Sequence, residues 1–161
     1  MSQELSPEMQ AAMERIGKHQ ADYIASGGTK GHVFSFEWGG GRLLTTTGLL
    51  RTTGRKSGEP RISALIYGNW KGEIVLVGSK GGAPKHPAWY LNIKDGGDVA
   101  FQIATQAWKT SSREPEGAER KAVWQYMEDC FPPYEAYQAA TDREIPIIML
   151  TPTEEIPVFK G

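Results

Sequence analysis

Within eight residues, Gly54-Arg55-Lys56-Ser57-Gly58-Glu59-Pro60-Arg61 sets three cations and a hydroxyl among two glycines and a proline. That chemistry binds anions. Glycine admits positive φ and close approach of the backbone to a ligand. Arginine grips phosphate or carboxylate in a planar fork, and lysine supplies a mobile point charge. Such a stretch alone also reads as a solvated basic turn between strands. A second cationic segment, Ser79-Lys80-Gly81-Gly82, favours the anion site. The runs Arg61 to Tyr67 and Glu73 to Gly78, separated by Gly68-Asn69-Trp70-Lys71-Gly72, are expected to form an antiparallel hairpin. Its open end would hold Arg55, Lys56, Arg61 and Lys80 side by side. Pro87 in Pro87-Ala88-Trp89-Tyr90-Leu91-Asn92 predicts a short helix whose N-terminus faces these loops and adds free N–H groups to them.

The remaining elements must carry that site. Met9, Met13, Ile16, Tyr23 and Ile24 recur near helical spacing after Pro7 and before Gly27-Gly28, so residues 1–26 are read as an N-terminal amphipathic helix. Phe34, Phe36 and Trp38 alternate ahead of a glycine run, as in a short strand or ordered loop, and Arg42 to Thr53 reads as strand. Residues 98–105 and Gln106 to Ser112 are expected to pair. A helix is expected from Glu116 to Cys130, broken by Phe131-Pro132-Pro133, with a further aromatic helical segment from Tyr134 and a last strand at Ile145 to Leu150. About six mostly antiparallel strands with three or four helices make an α+β barrel or curled sheet, one domain over residues 1–161.

Composition limits the function classes. A net charge of −1 on 161 residues gives no overall bias toward nucleic acid. The lone Cys130 forms no internal disulfide framework and no cysteine-rich zinc site, and an intracellular, cytoplasmic location follows as the default. His19, His32 and His86 lack metal-ligand spacing, so no metal is expected. The run from Gly48 to Ser57 misses P-loop spacing by one residue and separates glycine from lysine by Arg55. The N-terminus lacks the features of a secretory signal, and no stretch has the roughly 18 apolar residues of a membrane span.

The basic loop, the Ser-Lys-Gly-Gly segment, the Pro-Ala-Trp-Tyr-Leu-Asn helix and the Tyr134-Glu135-Ala136-Tyr137 segment occur in an order that resembles the deazaflavin-dependent nitroreductase family of actinobacteria. The likeness covers roughly residues 43–152. It implies a split β-barrel related to the FMN-binding barrels and the deazaflavin coenzyme F-420 as cofactor. By motif, Arg55, Lys56, Ser57 and Arg61 would hold the coenzyme's phosphate and oligoglutamate tail. Ser79, Lys80, Pro87 and Trp89 would lie along the cofactor, with Trp89 near the deazaflavin ring. Phe131, Tyr134 and Tyr137 would line the substrate side. Phe131 stands where some members carry another tyrosine, which removes one hydroxyl contact.

The resemblance implies hydride delivery from the reduced coenzyme to an electron-poor quinone, activated enone or nitroaromatic. The protein then holds donor and acceptor face to face at about 3–3.5 Å and supplies one proton, for which Tyr134 and Ser79 are the candidates. Two other readings stand beside this one: an FMN- or FAD-dependent reductase on the same barrel, and a non-catalytic deazaflavin-binding protein. The expected partner is a small molecule, the oligomer a monomer or dimer. The N-terminal helix could also make a peripheral contact at the inner face of the membrane.

Overall fold

The computed structural model describes residues 6–160; residues 1–5 of the expected N-terminal helix lie outside them. Helix α1 spans Pro7–Ala25. Pro7 occupies its first turn, the Ser6 hydroxyl accepts from the Met9 N–H at 3.2 Å, and Gly27 and Gly28 follow at positive φ. At Gly28 the close approach is extreme, since a Cβ there would stand 1.7 Å from the Ala104 carbonyl oxygen. Only glycine lets the end of α1 settle on that turn.

Eight antiparallel strands follow: β1 Val33–Phe34, β2 Thr45–Thr53, β3 Pro60–Ile66, β4 Gly68–Trp70, β5 Glu73–Val77, β6 Val99–Ile103, β7 Gln106–Arg113 and β8 Ile147–Ile156. The helices between them are α2 Ala88–Lys94, α3 Gly117–Cys130 and α4 Pro133–Ala139. In the sheet, β2 pairs with β6, β6 with β7, β7 with β8, β8 with β5, and β5 with β4, while β3 pairs with β2. Because β3 and β4 are one strand bent at Tyr67, these pairings close a ring. The ring is split where β3 leaves β5.

The expected hairpin of residues 61–77 is therefore corrected. Only Gly68–Trp70 pairs with β5, and the whole of β3 pairs with β2, from Thr47↔Ile66 to Thr53↔Pro60. The bend is fixed by hydrogen bonds from the Tyr67 N–H to the Thr46 carbonyl, 3.2 Å, and from the Thr46 hydroxyl to the Tyr67 carbonyl, 3.1 Å. A sheet edge left open by this divergence needs a partner. Gln20 of α1 provides one: its amide donates to the Ile62 carbonyl at 3.2 Å and accepts from the Ala64 N–H at 3.1 Å.

The barrel interior is filled by Leu50, Leu76, Phe101, Ile148 and Leu150, closed at one end by Trp89, Tyr90 and Ile93 of α2. Outside the barrel, α3 and α4 cover β5 and β8 through Val123, Met127, Phe131 and Tyr134. Tyr23 of α1 packs with Leu49, Ala100 and Phe159 against the opposite wall. The apolar stripe of α1 is only half used: Tyr23 is buried, while Met9, Met13 and Ile16 are exposed.

Tyr23 is the anchor. Its hydroxyl donates to the Thr47 carbonyl at 3.0 Å and accepts from the Ala104 N–H at 2.8 Å, and burial pushes its pKa up to about 12. Tyr23→Phe leaves two backbone groups unpaired in the core and is expected to cost about 1–3 kcal/mol, read from the urea midpoint at unchanged slope. Because the folded pKa is raised above the ordinary 10.0, the anchor is intact below pH 10 and is lost as pH climbs toward about 12. A midpoint equal to wild type would show that α1 is held by packing alone.

Candidate active site

The basic loop is the tip of the β2–β3 hairpin. It folds on itself: the Gly54 N–H donates to the Glu59 carbonyl and the Gly58 N–H to the Gly54 carbonyl, both at 2.8 Å, with Gly58 at φ 74°. Ser57 works inside the loop, its hydroxyl oxygen accepting from the Glu59 N–H at 3.2 Å and from Arg61 Nη2 at 3.3 Å. A residue that the sequence placed in the short helix but gave no role ties the loop down. Asn92 of α2, 5% exposed, accepts from the Arg55 N–H at 3.1 Å and donates to Thr52 Oγ1 at 3.1 Å.

Arg55, Lys56, Ser57 and Arg61 border a cavity of about 340 Å³ with Ile62, Ala88, Trp89 and Asn92. A second cavity, about 290 Å³, occupies the barrel split itself. Ala64, Leu65 and Ile66 form one wall, and Val77, Ser79 and Lys80 form the other. Pro87 and Trp89 come from α2, Phe131, Tyr134 and Tyr137 from the α3–α4 corner, and Ile16 and His19 from α1. Trp89, 8% exposed, borders both cavities. The first is cationic at the loop, the second aromatic at the split, and Trp89 is the residue they share.

Every site residue expected from sequence thus borders one of these two cavities, Arg55, Lys56, Ser57 and Arg61 the first, Ser79, Lys80, Pro87, Phe131, Tyr134 and Tyr137 the second, and Trp89 both. The geometric reason differs from the one first expected. Arg61 and Lys80 are not side by side on a hairpin: β3 and β5 do not pair, Arg61 borders the cavity at the loop, and Lys80 borders the cavity in the split.

The four cations are unneutralised. Among the described residues the ion pairs join Lys18, Lys94, Lys109, Arg113 and Arg120 to acids, and none involves Arg55, Lys56, Arg61 or Lys80. Arg113, by contrast, is gripped by Glu73 and Glu119. Lys80 adopts φ 46°, a conformation disfavoured for a side chain other than glycine, in the loop beside the cavity.

That loop is held by Arg143, a second residue the sequence did not flag. Its guanidinium donates to the Ser79, Ala83 and Gly78 carbonyls at 2.7, 2.8 and 3.1 Å, and to His86 Nδ1 at 3.1 Å. The Ser79 hydroxyl has no protein partner among the described residues. The Tyr134 hydroxyl likewise has none, and burial raises its pKa well above the ordinary phenol range, with the neighbouring Tyr137 adding to the shift. Phe131 packs on Tyr134 at 4.9 Å and shapes the apolar side of the pocket.

A flat ring fits the aromatic split and a polyanionic tail fits the open cations, with Trp89 at the junction. A lone phosphate would leave most of that positive charge unused.

The family model described as "F420H(2)-dependent quinone reductase" matches residues 17–152. A Mycobacterium tuberculosis protein of the same description is 31% identical over 147 residues, covering 89% of this chain and 94% of the relative. Among solved structures, one described as an F420-H2 dependent reductase is 40% identical with a TM-score of 0.59, covering 65% of this chain and 92% of that chain. Another, described as a domain-swapped dimer, is 33% identical with a TM-score of 0.62 and covers 86% and 98%. These relatives support the deazaflavin and give no support to FMN. No described helix is long and apolar enough to cross a membrane. By the extent of the family match and the identity of these relatives, the chain belongs to the F420H(2)-dependent quinone reductase family.

Proposed function

We propose that this protein holds reduced deazaflavin across the two cavities and reduces a quinone, the acceptor lying in the part of the split cavity bordered by Phe131, Tyr134 and Tyr137. When bound, the coenzyme supplies a hydride, two electrons with one hydrogen. The observation that carries the reading is a cationic loop with no ion-pair partner among the described residues, set beside an aromatic slot, with Trp89 bordering both cavities.

In this reading Arg55, Lys56 and Arg61 bind the anionic tail, and Ser57 keeps the loop in shape. Trp89 and Pro87 form the floor on which the ring rests, Lys80 closes the solvent side, and Ser79 offers its hydroxyl to ring or acceptor. Tyr134, kept neutral by burial, donates a hydrogen bond to the acceptor oxygen as negative charge grows there. Tyr137 and Phe131 fix the acceptor plane. A membrane-surface role for α1 has weak support: its exposed Met9, Met13 and Ile16 are interleaved with Glu8, Glu14, Arg15 and Lys18 and are not backed by a basic face.

The test is oxidation of the reduced coenzyme by a soluble quinone, wild type against Tyr134→Phe. Wild type is expected to turn over, and the variant to lose roughly ten- to a hundredfold in kcat with coenzyme affinity retained. Unchanged turnover of quinones and enones at saturating reduced coenzyme would remove Tyr134 from this role. Absence of wild-type turnover would overturn the function.

A further inference from the structure

His19, 8% exposed, brings an imidazole from α1 to the wall of the split cavity. Its Nε2 lies 2.8 Å from the Gly31 carbonyl oxygen and 3.1 Å from Thr47 Oγ1. A carbonyl only accepts, so Nε2 carries the hydrogen. Thr47 reinforces this tautomer, because its own hydroxyl donates to the Gly31 carbonyl at 2.6 Å and leaves the oxygen lone pairs toward Nε2.

Nδ1 is the other ring nitrogen, and it has no protein partner among the described residues. No fully buried side-chain nitrogen or oxygen among those residues lacks a partner, so Nδ1 is not sealed in. The space that His19 borders is the cavity. Phe34, with its ring centroid 4.3 Å away, and Tyr23, edge-on at 5.9 Å, hold the ring plane.

Quinone reduction by hydride needs one proton to deliver a neutral hydroquinone. The other groups around the acceptor are poor sources: Ser79 is an alcohol, Tyr134 is buried as the neutral phenol, and Lys80 sits on the exposed rim. Histidine is the side chain that ordinarily exchanges protons near neutral pH.

We propose that His19 is the proton donor of the reaction, giving the Nδ1 proton of its imidazolium to the acceptor oxygen. The inference rests on the reductase reading above. The acceptor takes a hydride from the reduced deazaflavin and a proton from Nδ1. The hydride forms one O–H bond at one quinone oxygen, both carbonyl π bonds open as the ring becomes aromatic, and the other oxygen takes the Nδ1 proton as that N–H bond breaks, giving the hydroquinone, which leaves. The deazaflavin is oxidised and the imidazole remains neutral, with Nε2–H still on Gly31, until solvent reprotonates Nδ1. The charged and titratable groups near the ring are Asp22 and Tyr23 on α1, and Lys80, Tyr134 and Tyr137 line the same cavity.

The experiment compares wild type with His19→Gln, using saturating reduced coenzyme and 1,4-naphthoquinone. Glutamine can keep the donor to Gly31 but has nothing at Nδ1. The expected result is a kcat about a hundredfold lower, with coenzyme Kd and urea midpoint unchanged. In the wild-type complex with oxidised coenzyme, naphthohydroquinone should shift the histidine Nδ1 ¹⁵N resonance and leave Nε2 in place. A His19→Gln kcat equal to wild type, or an Nδ1 that ignores the hydroquinone, overturns the assignment while leaving the reductase reading intact. If wild type itself does not reduce the quinone, the reductase reading fails and the assignment falls with it.

Discussion

Removing the cradle's charge with Arg55→Ala/Lys56→Ala/Arg61→Ala is expected to weaken binding of the deazaflavin coenzyme about a hundredfold. These side chains are exposed, so each contact is screened and contributes about 0.5–1 kcal/mol, and 1.4 kcal/mol corresponds to tenfold. The loss should shrink as salt is added, because wild-type affinity itself falls with ionic strength. Folding should change little, since none of the three is in an ion pair among the described residues, the Asn92 anchor keeps the Arg55 backbone N–H, and the side-chain bonds lost, Arg55 to Asn92 at 3.4 Å and Arg61 to Ser57 at 3.3 Å, are long. A deazaflavin stripped of its tail should bind variant and wild type alike. Equal affinity of both proteins for the full coenzyme, measured by fluorescence titration, would place the tail elsewhere.

Arg143→Met should have the larger effect on structure. Methionine fills similar volume but strands the Gly78 and Ala83 carbonyls, while the Ser79 carbonyl keeps only the Gly82 N–H, and a part-buried acceptor left unpaired costs about 1–3 kcal/mol. A total loss of about 3 kcal/mol is expected, together with roughly tenfold weaker coenzyme binding, because the Ser79–Lys80 wall of the cavity loses its support. Arg143→Lys should rescue little, since one ammonium cannot span four acceptors. His86 supplies a pH signature. Burial and the charge of Arg143 lower its pKa from the ordinary 6.5, so it stays neutral and accepts from Arg143. This contribution is present above pH 6.5 and is lost as pH falls through the lowered value. Denaturation midpoints of wild type and variant should therefore converge on acidification. A variant as stable as wild type would mean that the loop stands without its clamp.

The sequence disclosed what is local and hid what is distant. The cradle was legible because its cations and glycines lie within one turn of chain, and Tyr134 and Tyr137 because they share one short helix. Alternation and turn residues placed most strands, but alternation does not name a partner. β3 reads equally well beside β2 or β5, and the choice of β2 creates the split that becomes the cavity. Gln20, Asn92 and Arg143 received no role from the sequence, because their work is done on backbone 37 to 65 positions away. His19 was weighed only as a metal ligand; its tautomer is set by Gly31 and Thr47, contacts no spacing rule encodes. The stripe of Met9, Met13 and Ile16 read as the apolar side of an amphipathic helix, yet it is exposed, because these residues precede the point where α1 meets the barrel.

The account turns on where the coenzyme lies, and a crystal structure of the protein with oxidised deazaflavin bound would measure that directly. The ring is expected in the split against Trp89 and beside Ser79, with the tail running over Arg55, Lys56 and Arg61 and the Tyr134 side left open to the acceptor. A ring outside the split, or a tail that avoids the basic loop, would contradict it.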